Sequence, residues 1–331
     1  MIPFQYHRAT SVEDAVSTVA GRPDATFLAG GTNLVDHMKL GITEPSLLVD
    51  IGHLFPLQDI EVHDDGALRI GADVRNADLA AHPVVRASYP GLARALLAGA
   101  SGQLRNVATT GGNLLQRTRC VYFQDVSTPC NKRTPGSGCS AIGGYVRYHA
   151  ILGASEHCVA AHPSDMAVAM MALDASIVYV DADGERRLPI DEFYRLPGDR
   201  PDRDTTLPTG ALITAVEIPA PPAGAQSTYR KVRDRASYAF ALTSVAAELV
   251  LDGDTIRSAR IALGGVAHKP WRARLAEERL VGNTVGEDVF DASAAAELDQ
   301  AEPLEGNEFK VDLTRRAIVA TLTAIAEGQR R

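Results

Sequence analysis

This 331-residue chain has little that would suit it to a membrane or to nucleic acid. No apolar run approaches the roughly 20 residues that a membrane-spanning helix needs, so we expect no membrane insertion. Asp and Glu outnumber Lys and Arg by 41 to 33, and the formal net charge is −8. Binding to phosphate backbones needs clustered basic residues, and aromatic residues for base stacking make up only 5% of the chain. Nucleic acid is therefore not expected as a partner.

An export signal is also missing from the first residues. They read Met-Ile-Pro-Phe-Gln-Tyr-His-Arg and contain no apolar segment of the signal-peptide kind. The cytoplasm is therefore the default expectation for localisation.

Cysteine is scarce, and all four cysteines fall within one short window. They are Cys120, Cys130, Cys139 and Cys158, separated by nine, eight and eighteen residues. Residues 119–140, which hold the first three, are rich in turn formers and poor in hydrophobic periodicity. Such a segment needs something other than a core to order it, and four thiolates around a metal centre would do so. Thiolate-only sites on long loops favour iron–sulfur clusters, which carry electrons.

Three other interpretations of these cysteines stay open at this point. Zinc sites usually contain a close pair such as Cys-x2-Cys, and the chain has none. Two disulfides would need an oxidising compartment, since disulfides are rare in the cytosol. Structural cysteines scattered by chance are the plainest interpretation, although chance rarely confines every cysteine to one window. Ligand type and spacing favour the cluster.

The predicted elements indicate an α+β protein with two domains that meet near residue 222. Alternating strand and helix patterns fill an N-terminal lobe of about residues 1–55. A second lobe, about residues 56–222, contains two hairpins with Asp-Asp-Gly and Asp-Ala-Asp-Gly turns. The stretch Pro-Ala-Pro-Pro-Ala-Gly at residues 219–224 is the best linker candidate. Residues 223–331 are expected to form three strands and then two helices separated by a polar, alanine-rich stretch.

Two loops place paired glycines beside hydroxyl and amide side chains. Residues 28–34 read Leu-Ala-Gly-Gly-Thr-Asn-Leu, and residues 107–114 read Val-Ala-Thr-Thr-Gly-Gly-Asn-Leu. Paired glycines let the backbone approach an anion closely, while amides and hydroxyls donate hydrogen bonds. Two such loops facing each other could hold a pyrophosphate without Lys or Arg. Taken singly, each Gly-Gly pair is more simply an ordinary turn, and neither loop matches the dinucleotide or P-loop pattern.

These loops belong to a longer set of motifs. They are followed by His-Pro-Ser-Asp-Met at residues 162–166, Tyr-Arg-Lys-Val-Arg-Asp-Arg-Ala-Ser-Tyr at 229–238 and Gly-Gly-Val-Ala-His-Lys-Pro-Trp-Arg at 264–272. Together the five motifs resemble the FAD-binding medium subunit of the xanthine dehydrogenase and carbon monoxide dehydrogenase family of molybdenum hydroxylases. The resemblance covers nearly the whole chain. It implies a two-lobed PCMH-type FAD-binding domain at residues 1–222 and a C-terminal domain of the CO dehydrogenase flavoprotein type at residues 223–331, with a three-stranded sheet and helices.

Most members of this family lack the cysteine segment, residues 117–160. That segment resembles the [4Fe–4S] insertion of the FAD subunit in bacterial aldehyde oxidoreductases that act on aromatic aldehydes. The resemblance implies Cys120, Cys130, Cys139 and Cys158 as the cluster ligands. The FAD subunit of 4-hydroxybenzoyl-CoA reductase also carries a cluster, with a less similar cysteine segment.

The same resemblance implies which residues bind FAD. Asp165 would accept hydrogen bonds from flavin hydroxyls, Ile213 would pack near the isoalloxazine ring, and Lys231 would lie at the pyrimidine edge. A cation there would stabilise anionic reduced flavin and raise its reduction potential. Without the resemblance, these three would be interpreted as a helix N-terminal charge, a core residue and a solvated lysine. The predicted contacts to the pyrophosphate and ribityl oxygens are Ala29, Gly30, Gly31, Thr32, Asn33, Leu34, Thr109, Gly111, Gly112 and Asn113.

By this resemblance the protein is an electron-transfer subunit of a heterotrimer. A large subunit with a molybdopterin cofactor would oxidise the aldehyde, and a small [2Fe–2S] subunit would pass electrons to FAD in this chain. The chain has no molybdenum ligand set and no further cysteine motif, so the partners would be separate polypeptides. If a partner carries a twin-arginine signal, the complex would be periplasmic rather than cytoplasmic.

Several alternatives accompany this interpretation. Xanthine-type members carry an acidic residue where this chain has Ser237 and Tyr238, which weakens the case for NAD⁺ as the electron acceptor. Tyr238 is expected to cover the ring face instead. The alternative functions are an FAD subunit of the xanthine dehydrogenase or 4-hydroxybenzoyl-CoA reductase type, a free-standing flavoprotein, and a metal-stabilised interaction module without flavin.

Overall fold

A parallel sheet forms the N-terminal lobe of the chain, which the computed structural model describes over residues 1–329. In chain order this lobe contains β1 (Gln5–Arg8), α1 (Val12–Val19), β2 (Ala25–Leu28), α2 (Leu34–Lys39) and β3 (Leu47–Asp50). Strands β1 and β2 each pair with β3 in parallel. The side chain of Ser11 caps α1 by accepting the backbone N–H of Asp14. The first glycine loop leaves the carboxyl end of β2, which is where α/β sheets commonly bind ligands.

Antiparallel pairing builds a five-stranded sheet in the second lobe. A 3₁₀ turn at Phe55–Leu57 leads into it, and its elements are β4 (Ile60–Val62), β5 (Leu68–Gly71), α3 (Asn76–Ala81), α4 (Pro83–Ser88), α5 (Pro90–Ala98), α6 (Gly102–Arg105), α7 (Thr110–Leu114), α8 (Val121–Gln124), α9 (Asp165–Ala172), β6 (Ser176–Asp181), β7 (Gly184–Pro189), α10 (Ile190–Phe193) and β8 (Leu212–Ile218). The strand order is β4-β5-β8-β6-β7. Both predicted hairpins are present, since β4 pairs with β5 and β6 pairs with β7.

The C-terminal domain packs helices against a second antiparallel sheet. Its elements are β9 (Gln226–Val232), β10 (Thr243–Asp252), β11 (Thr255–Gly264), β12 (Trp271–Arg272), α11 (Arg274–Leu280), α12 (Glu287–Leu298) and α13 (Phe309–Gln329). The three predicted strands are present, and β12 adds a fourth that is too short to show a periodic pattern. Helix α12 occupies the alanine-rich stretch for which the sequence pattern predicts no helix. Alanine favours helix, and α12 buries Phe290, Ala294 and Leu298.

Helix α9 joins the two domains. All eight of its residues are buried, which explains why the helix shows no amphipathic pattern. It packs against α5 of the second lobe and against β10 and β11 of the C-terminal domain. Met166 and Val168 of α9 share one hydrophobic core with Tyr229 and Ala246 of the C-terminal sheet. The first residue of α9, Asp165, therefore lies at the junction, and the predicted boundary at residue 222 falls between β8 and β9.

Helix α13 is 21 residues long, and charged residues recur along it. Within residues 1–329, no helix has both the length and the apolar character that crossing a membrane would require.

Candidate functional site

A cavity of about 580 Å³ lies where the second lobe meets the C-terminal domain, and we call it the central cavity. Its walls come from the two glycine loops, α5, the cysteine segment, the start of α9 and residues 231–244 of the C-terminal domain. Cofactor pockets commonly measure about 300–1,000 Å³ and combine apolar walls with a few convergent polar groups. The central cavity has this size and character.

The two glycine loops meet at the wall of the central cavity. Their residues that line it are Thr32, Asn33, Ala108, Gly112 and Asn113. The loops touch through their backbones, because a Cβ on Gly30 would lie 2.1 Å from the carbonyl oxygen of Val107. Only glycine permits such a close approach. The fold therefore brings together the two loops that the sequence pattern singles out.

The other predicted residues of these loops shape the backbone behind the cavity wall. They are Ala29, Gly30, Gly31, Leu34, Thr109 and Gly111. Gly31 has φ +69°, a left-handed conformation that favours glycine. The Thr109 hydroxyl caps α7 by accepting the N–H of Gly112 at 3.3 Å. A Cβ on Gly111 would lie 3.1 Å from the Cβ of Ala72, so the second loop packs closely on the strand end.

Asparagine side chains tie both loops to their surroundings. The Asn33 Oδ1 atom accepts the backbone N–H of Arg117 at 3.1 Å, which joins the first loop to the start of the cysteine segment. The Asn113 Oδ1 atom accepts the hydroxyl of Ser164. Ser164 in turn caps α9 by accepting the N–H of Ala167 at 2.9 Å. The loops, the cysteine segment and α9 therefore form one hydrogen-bonded frame.

Asp165 and Lys231 form a buried ion pair in the central cavity. The Lys231 ammonium donates to Asp165 at 2.7 Å and to the carbonyl of Ala98 at 3.2 Å, and the two side chains are only 4% and 7% exposed. The Tyr229 hydroxyl also donates to Asp165. Burial, and then the neighbouring Asp165, raise the pKa of Tyr229 well above its ordinary value, so the phenol stays protonated. One carboxylate thus orients a cation at the cavity and a phenol in the core behind it.

Ile213 lies elsewhere. It belongs to β8, is 3% exposed and packs in the hydrophobic core of the second lobe. It is not among the residues that line the central cavity. Its position gives the predicted contact with a flavin ring no support.

Residues 233–241 form a loop beside the central cavity, which we call the edge loop. Tyr238 of this loop lines the cavity, has φ +51° and is 55% exposed. The Arg235 guanidinium donates to the Tyr238 carbonyl at 3.0 Å. Asp234 accepts hydrogen bonds from Arg147, at 2.7 Å, and from the hydroxyl of Tyr148. Because the last two residues belong to the cysteine segment, that segment holds the edge loop in place.

A second cavity of about 420 Å³, the side cavity, shares Gln116 and His162 with the central cavity. Its walls include the charged residues Arg117, Arg195 and Asp204. Burial lowers the pKa of His162 to about 3, so its ring is neutral. Gln116 and His162 thus lie between the two cavities.

The four cysteines line one narrow cavity, the cysteine cavity, although they are scattered along the segment. Cys130 and Cys139 pair across an isolated β-bridge, and all four are free thiols. Within residues 1–329, no three His, Cys, Asp or Glu side chains are close enough to share a single metal ion. A four-iron cluster is bound by one thiolate at each iron, so its ligands stand farther apart than those of a single ion.

Cys120 lines both the cysteine cavity and the central cavity. Burial raises the pKa of Cys120 to about 11 and that of Cys158 to about 12, so both are neutral thiols unless a metal displaces the proton. The Nε2 atom of His149 lies 3.1 Å from the Cys120 sulfur. Burial lowers the pKa of His149 to about 4, and its ring is neutral.

Sequence reasoning gave no role to Tyr229, His149 or Arg119. Tyr229 stands two residues before Lys231 on β9, so both side chains point to the same face of the strand. That alternation was the available signal. His149 and Arg119 carry no such signal, because their neighbours in space come from distant segments. Arg119 lines the central cavity and donates to Asp36 at 2.9 Å.

Comparisons with known proteins agree with this architecture. The family model for the FAD binding domain in molybdopterin dehydrogenase matches residues 2–221, and that for the CO dehydrogenase flavoprotein C-terminal domain matches residues 227–324. The aldehyde oxidoreductase FAD-binding subunit PaoB of Escherichia coli strain K12 is 53% identical over 97% of this chain and 98% of its own length. The carbon monoxide dehydrogenase medium chain of Hydrogenophaga pseudoflava is 27% identical over 92% of this chain and 90% of its own.

A solved structure of carbon monoxide dehydrogenase from Hydrogenophaga pseudoflava superimposes with a TM-score of 0.77. It covers 99% of both chains at 27% identity. The predicted α+β fold, with an FAD-binding domain followed by a flavoprotein C-terminal domain, is confirmed. This chain therefore belongs to the FAD-binding medium subunits of the molybdenum hydroxylases, a family of oxidoreductases.

Proposed function

We propose that this chain is the FAD- and [4Fe–4S]-containing electron-transfer subunit of an aldehyde oxidoreductase. Its partners in a heterotrimer would be a molybdopterin-cofactor large subunit and a small [2Fe–2S] subunit. The large subunit would convert an aldehyde and water into an acid, two electrons and two protons. The electrons would pass through the [2Fe–2S] centres to FAD in this chain and on to an acceptor.

Sequence identity supports the aldehyde as substrate class. The E. coli aldehyde oxidoreductase FAD-binding subunit is 53% identical to this chain, whereas a xanthine dehydrogenase FAD-binding subunit of Escherichia coli O157:H7 is 25% identical. The cysteine segment, which most family members lack, points in the same direction. These observations favour the aldehyde oxidoreductase over the xanthine dehydrogenase type.

The contact between the two glycine loops on the central cavity is the observation that carries the proposal. Backbone N–H groups of the first loop favour a pyrophosphate. In the second loop, the N–H groups of Thr110 and Gly111 donate to the carbonyls of Val74 and Ala72, so this loop would contribute mainly through Asn113, which lines the cavity. The 2.1 Å approach of a Gly30 Cβ to Val107 leaves room for backbone only. We propose that this cradle binds the FAD diphosphate and nearby ribityl oxygens through Ala29, Gly30, Gly31, Thr32, Asn33, Leu34, Thr109, Gly111, Gly112 and Asn113.

Lys231 would orient and tune the flavin. Its ammonium has three N–H donors, and contacts to Asp165 and Ala98 use two of them, which leaves one for a ligand in the central cavity. The positive charge favours the reduced, anionic flavin. Because Asp165 supplies the opposite charge at 2.7 Å, the effect on the potential is smaller than that of an isolated cation. Bound FAD supplies a carrier of two electrons that can also release them singly.

Cys120, Cys130, Cys139 and Cys158 would hold the cluster, which supplies one-electron transfer when bound. Their thiols must lose protons to bind iron, and burial opposes that loss at Cys120 and Cys158. Iron binding is thus expected to order the segment and release protons together. Through Asp234, the ordered segment would hold the edge loop and Tyr238 beside the flavin.

The test is the spectrum and composition of the purified complex. We expect flavin bands on broad iron–sulfur absorption, with one FAD per complex. Replacement of Cys130 with Ser should remove about four iron atoms per complex and leave FAD bound. Ser127→Ala, an exposed change in the same segment, is the matched control. Full iron content in C130S would refute the ligand assignment, and flavin without [4Fe–4S] absorption in the wild-type complex would refute the cluster.

Co-purification tests the rest of the proposal. A tag on this chain should recover molybdenum- and [2Fe–2S]-bearing subunits in equal amounts. Recovery of a colourless chain alone would instead support a metal-stabilised interaction module, and a yellow chain alone a free-standing flavoprotein. We further propose that the complex reaches the periplasm if a partner carries a twin-arginine signal. Fractionation of cells that express all subunits would decide between the periplasm and the cytoplasm.

A further inference from the structure

Lys132 is a buried cation on the wall of the cysteine cavity. It follows Cys130 by two residues, and its side chain is 1% exposed. It lines the same cavity as the four cysteines. A buried ammonium is costly unless negative charge and hydrogen-bond acceptors surround it, so its contacts decide what it does there.

Three acceptors hold the ammonium of Lys132. It donates to the Asp204 carboxylate, to the carbonyl of Pro201 at 2.8 Å and to the Nε2 atom of His268 at 2.8 Å. Burial lowers the pKa of His268, so the ring is neutral and accepts this hydrogen bond. The three acceptors together occupy the three N–H donors of the ammonium, which fixes the position of its nitrogen. They lie 69, 72 and 136 residues away along the chain.

The positive charge at this site is only partly balanced. The same Asp204 carboxylate also accepts the Arg117 guanidinium at 2.8 Å. Two cations therefore share one carboxylate, which leaves one positive charge in excess. Four thiolates bound to iron would place negative charge in the cavity that Lys132 helps to line. The excess positive charge would then be balanced by the negatively charged cluster that the four cysteines bind.

Lys132 and all four cysteines line the same narrow cavity, so a cluster held by these cysteines would lie close to Lys132. A cluster held by four thiolates carries net negative charge, which becomes more negative by one when the cluster gains an electron. A fixed cation stabilises the reduced form more than the oxidised form.

We propose that Lys132, held in place by Asp204 and His268, raises the reduction potential of the [4Fe–4S] cluster. This inference rests on the proposed function, since it requires the four cysteines to bind the cluster. Lys132 is then a positioning residue for charge and not a ligand. Asp204 has the opposite effect, because it neutralises part of the positive charge while it holds the ammonium.

The two residues therefore predict shifts of opposite sign. Lys132→Met removes the charge with little change in side-chain length and should shift the cluster midpoint potential to a more negative value. Asp204→Asn keeps a hydrogen-bond acceptor but removes the negative charge, and should shift the potential to a more positive value. Lys132→Arg keeps the charge and should give a potential close to that of the wild type.

The experiment is a redox titration of the purified complex, with the reduced cluster followed by electron paramagnetic resonance. Iron and FAD content are measured on every variant. Lys269→Met is the matched control, because Lys269 pairs with Asp191 at 2.8 Å and does not line the cysteine cavity. It should leave the potential unchanged.

The outcomes are distinct. A negative shift in K132M, a positive shift in D204N and no shift in K132R support the proposal. Shifts of the same sign, or unchanged potentials in variants that keep their iron, overturn it. If K132M loses iron, the potentials of D204N and K132R still test the proposal. Loss of iron from all three variants shows that Lys132 has a structural role and overturns the tuning role. A wild-type complex without a [4Fe–4S] signal refutes the proposed cluster itself, which is a separate result.

Discussion

Replacement of Gly30 with Ala should open the cradle between the two glycine loops. The added Cβ would lie 2.1 Å from the Val107 carbonyl oxygen and 2.9 Å from its carbon. Non-bonded carbon–oxygen contacts lie at about 3.3–3.6 Å, so the two backbones must separate by roughly 1 Å. Neither atom belongs to a flexible side chain, and the loops cannot relieve the contact by a rotamer change.

The expected loss can be estimated from this overlap. Insertion of a methyl group into a closely packed site costs about 1–3 kcal/mol. If FAD binding requires the loops at their native separation, the binding free energy carries this cost. Since about 1.4 kcal/mol corresponds to a tenfold change in affinity, we expect FAD to bind roughly 10- to 100-fold more weakly.

Titration of the FAD-free protein with FAD, followed by quenching of flavin fluorescence, measures this change. Gly102→Ala is the matched control, because a Cβ on Gly102 would meet no atom within 4 Å and the residue begins helix α6. It should bind FAD like the wild type. Wild-type affinity in G30A, or an equal loss in G102A, would refute the reasoning that backbone contact shapes the cradle.

Three other charged residues, Asp165, Asp234 and Lys310, give testable predictions. Asp165→Asn leaves the Lys231 ammonium unpaired and should lower the free energy of unfolding, measured by urea titration, by about 3–5 kcal/mol. The double variant D165N/K231M should recover part of this loss. A loss below about 1 kcal/mol in D165N would contradict a buried pair. Asp234→Ala removes the acceptor for Arg147 and Tyr148 and so frees the edge loop. It should increase quenching of flavin fluorescence by iodide without loss of stability. Asp252→Ala, which breaks an exposed pair with Arg257 at 2.8 Å, should not increase this quenching. Burial lowers the pKa of Lys310 to about 7, so the protonated lysine destabilises the folded state at low pH and this cost disappears as pH rises. Between pH 7 and pH 9, the unfolding free energy of the wild type should therefore rise by roughly 2–3 kcal/mol relative to that of Lys310→Met. A constant difference between the two proteins would contradict the buried charge.

Cys120 connects the flavin and cluster proposals in one structure. Because Cys120 lines both the central cavity and the cysteine cavity, the two proposed prosthetic groups would share a wall. The ion pair of Asp234 with Arg147 also joins the edge loop, beside the central cavity, to the cysteine segment. Loss of iron is therefore expected to loosen the surroundings of the flavin as well as the cysteine segment.

The sequence by itself determined the features that depend on neighbouring residues. Aspartate–glycine turns predicted both hairpins of the second lobe, because turn chemistry is local. Paired glycines and the concentration of four cysteines identified two loops and one segment that carry chemistry, although the loops alone did not distinguish an ordinary turn from an anion site. Order of motifs, and not any single motif, indicated the family.

Only the tertiary structure decided which of these residues meet. Lys231 reaches Asp165 across 66 residues, and Lys132 reaches His268 across 136, and neither separation leaves a periodic pattern in the sequence. Ile213 shows the converse, because an apolar strand residue looks the same whether it faces a cofactor or the core. The physical reason is that turns and caps are set by short-range backbone geometry, whereas the pairing of buried charges depends on how distant elements pack. In this protein, that packing centres on α9, which is buried between the two domains.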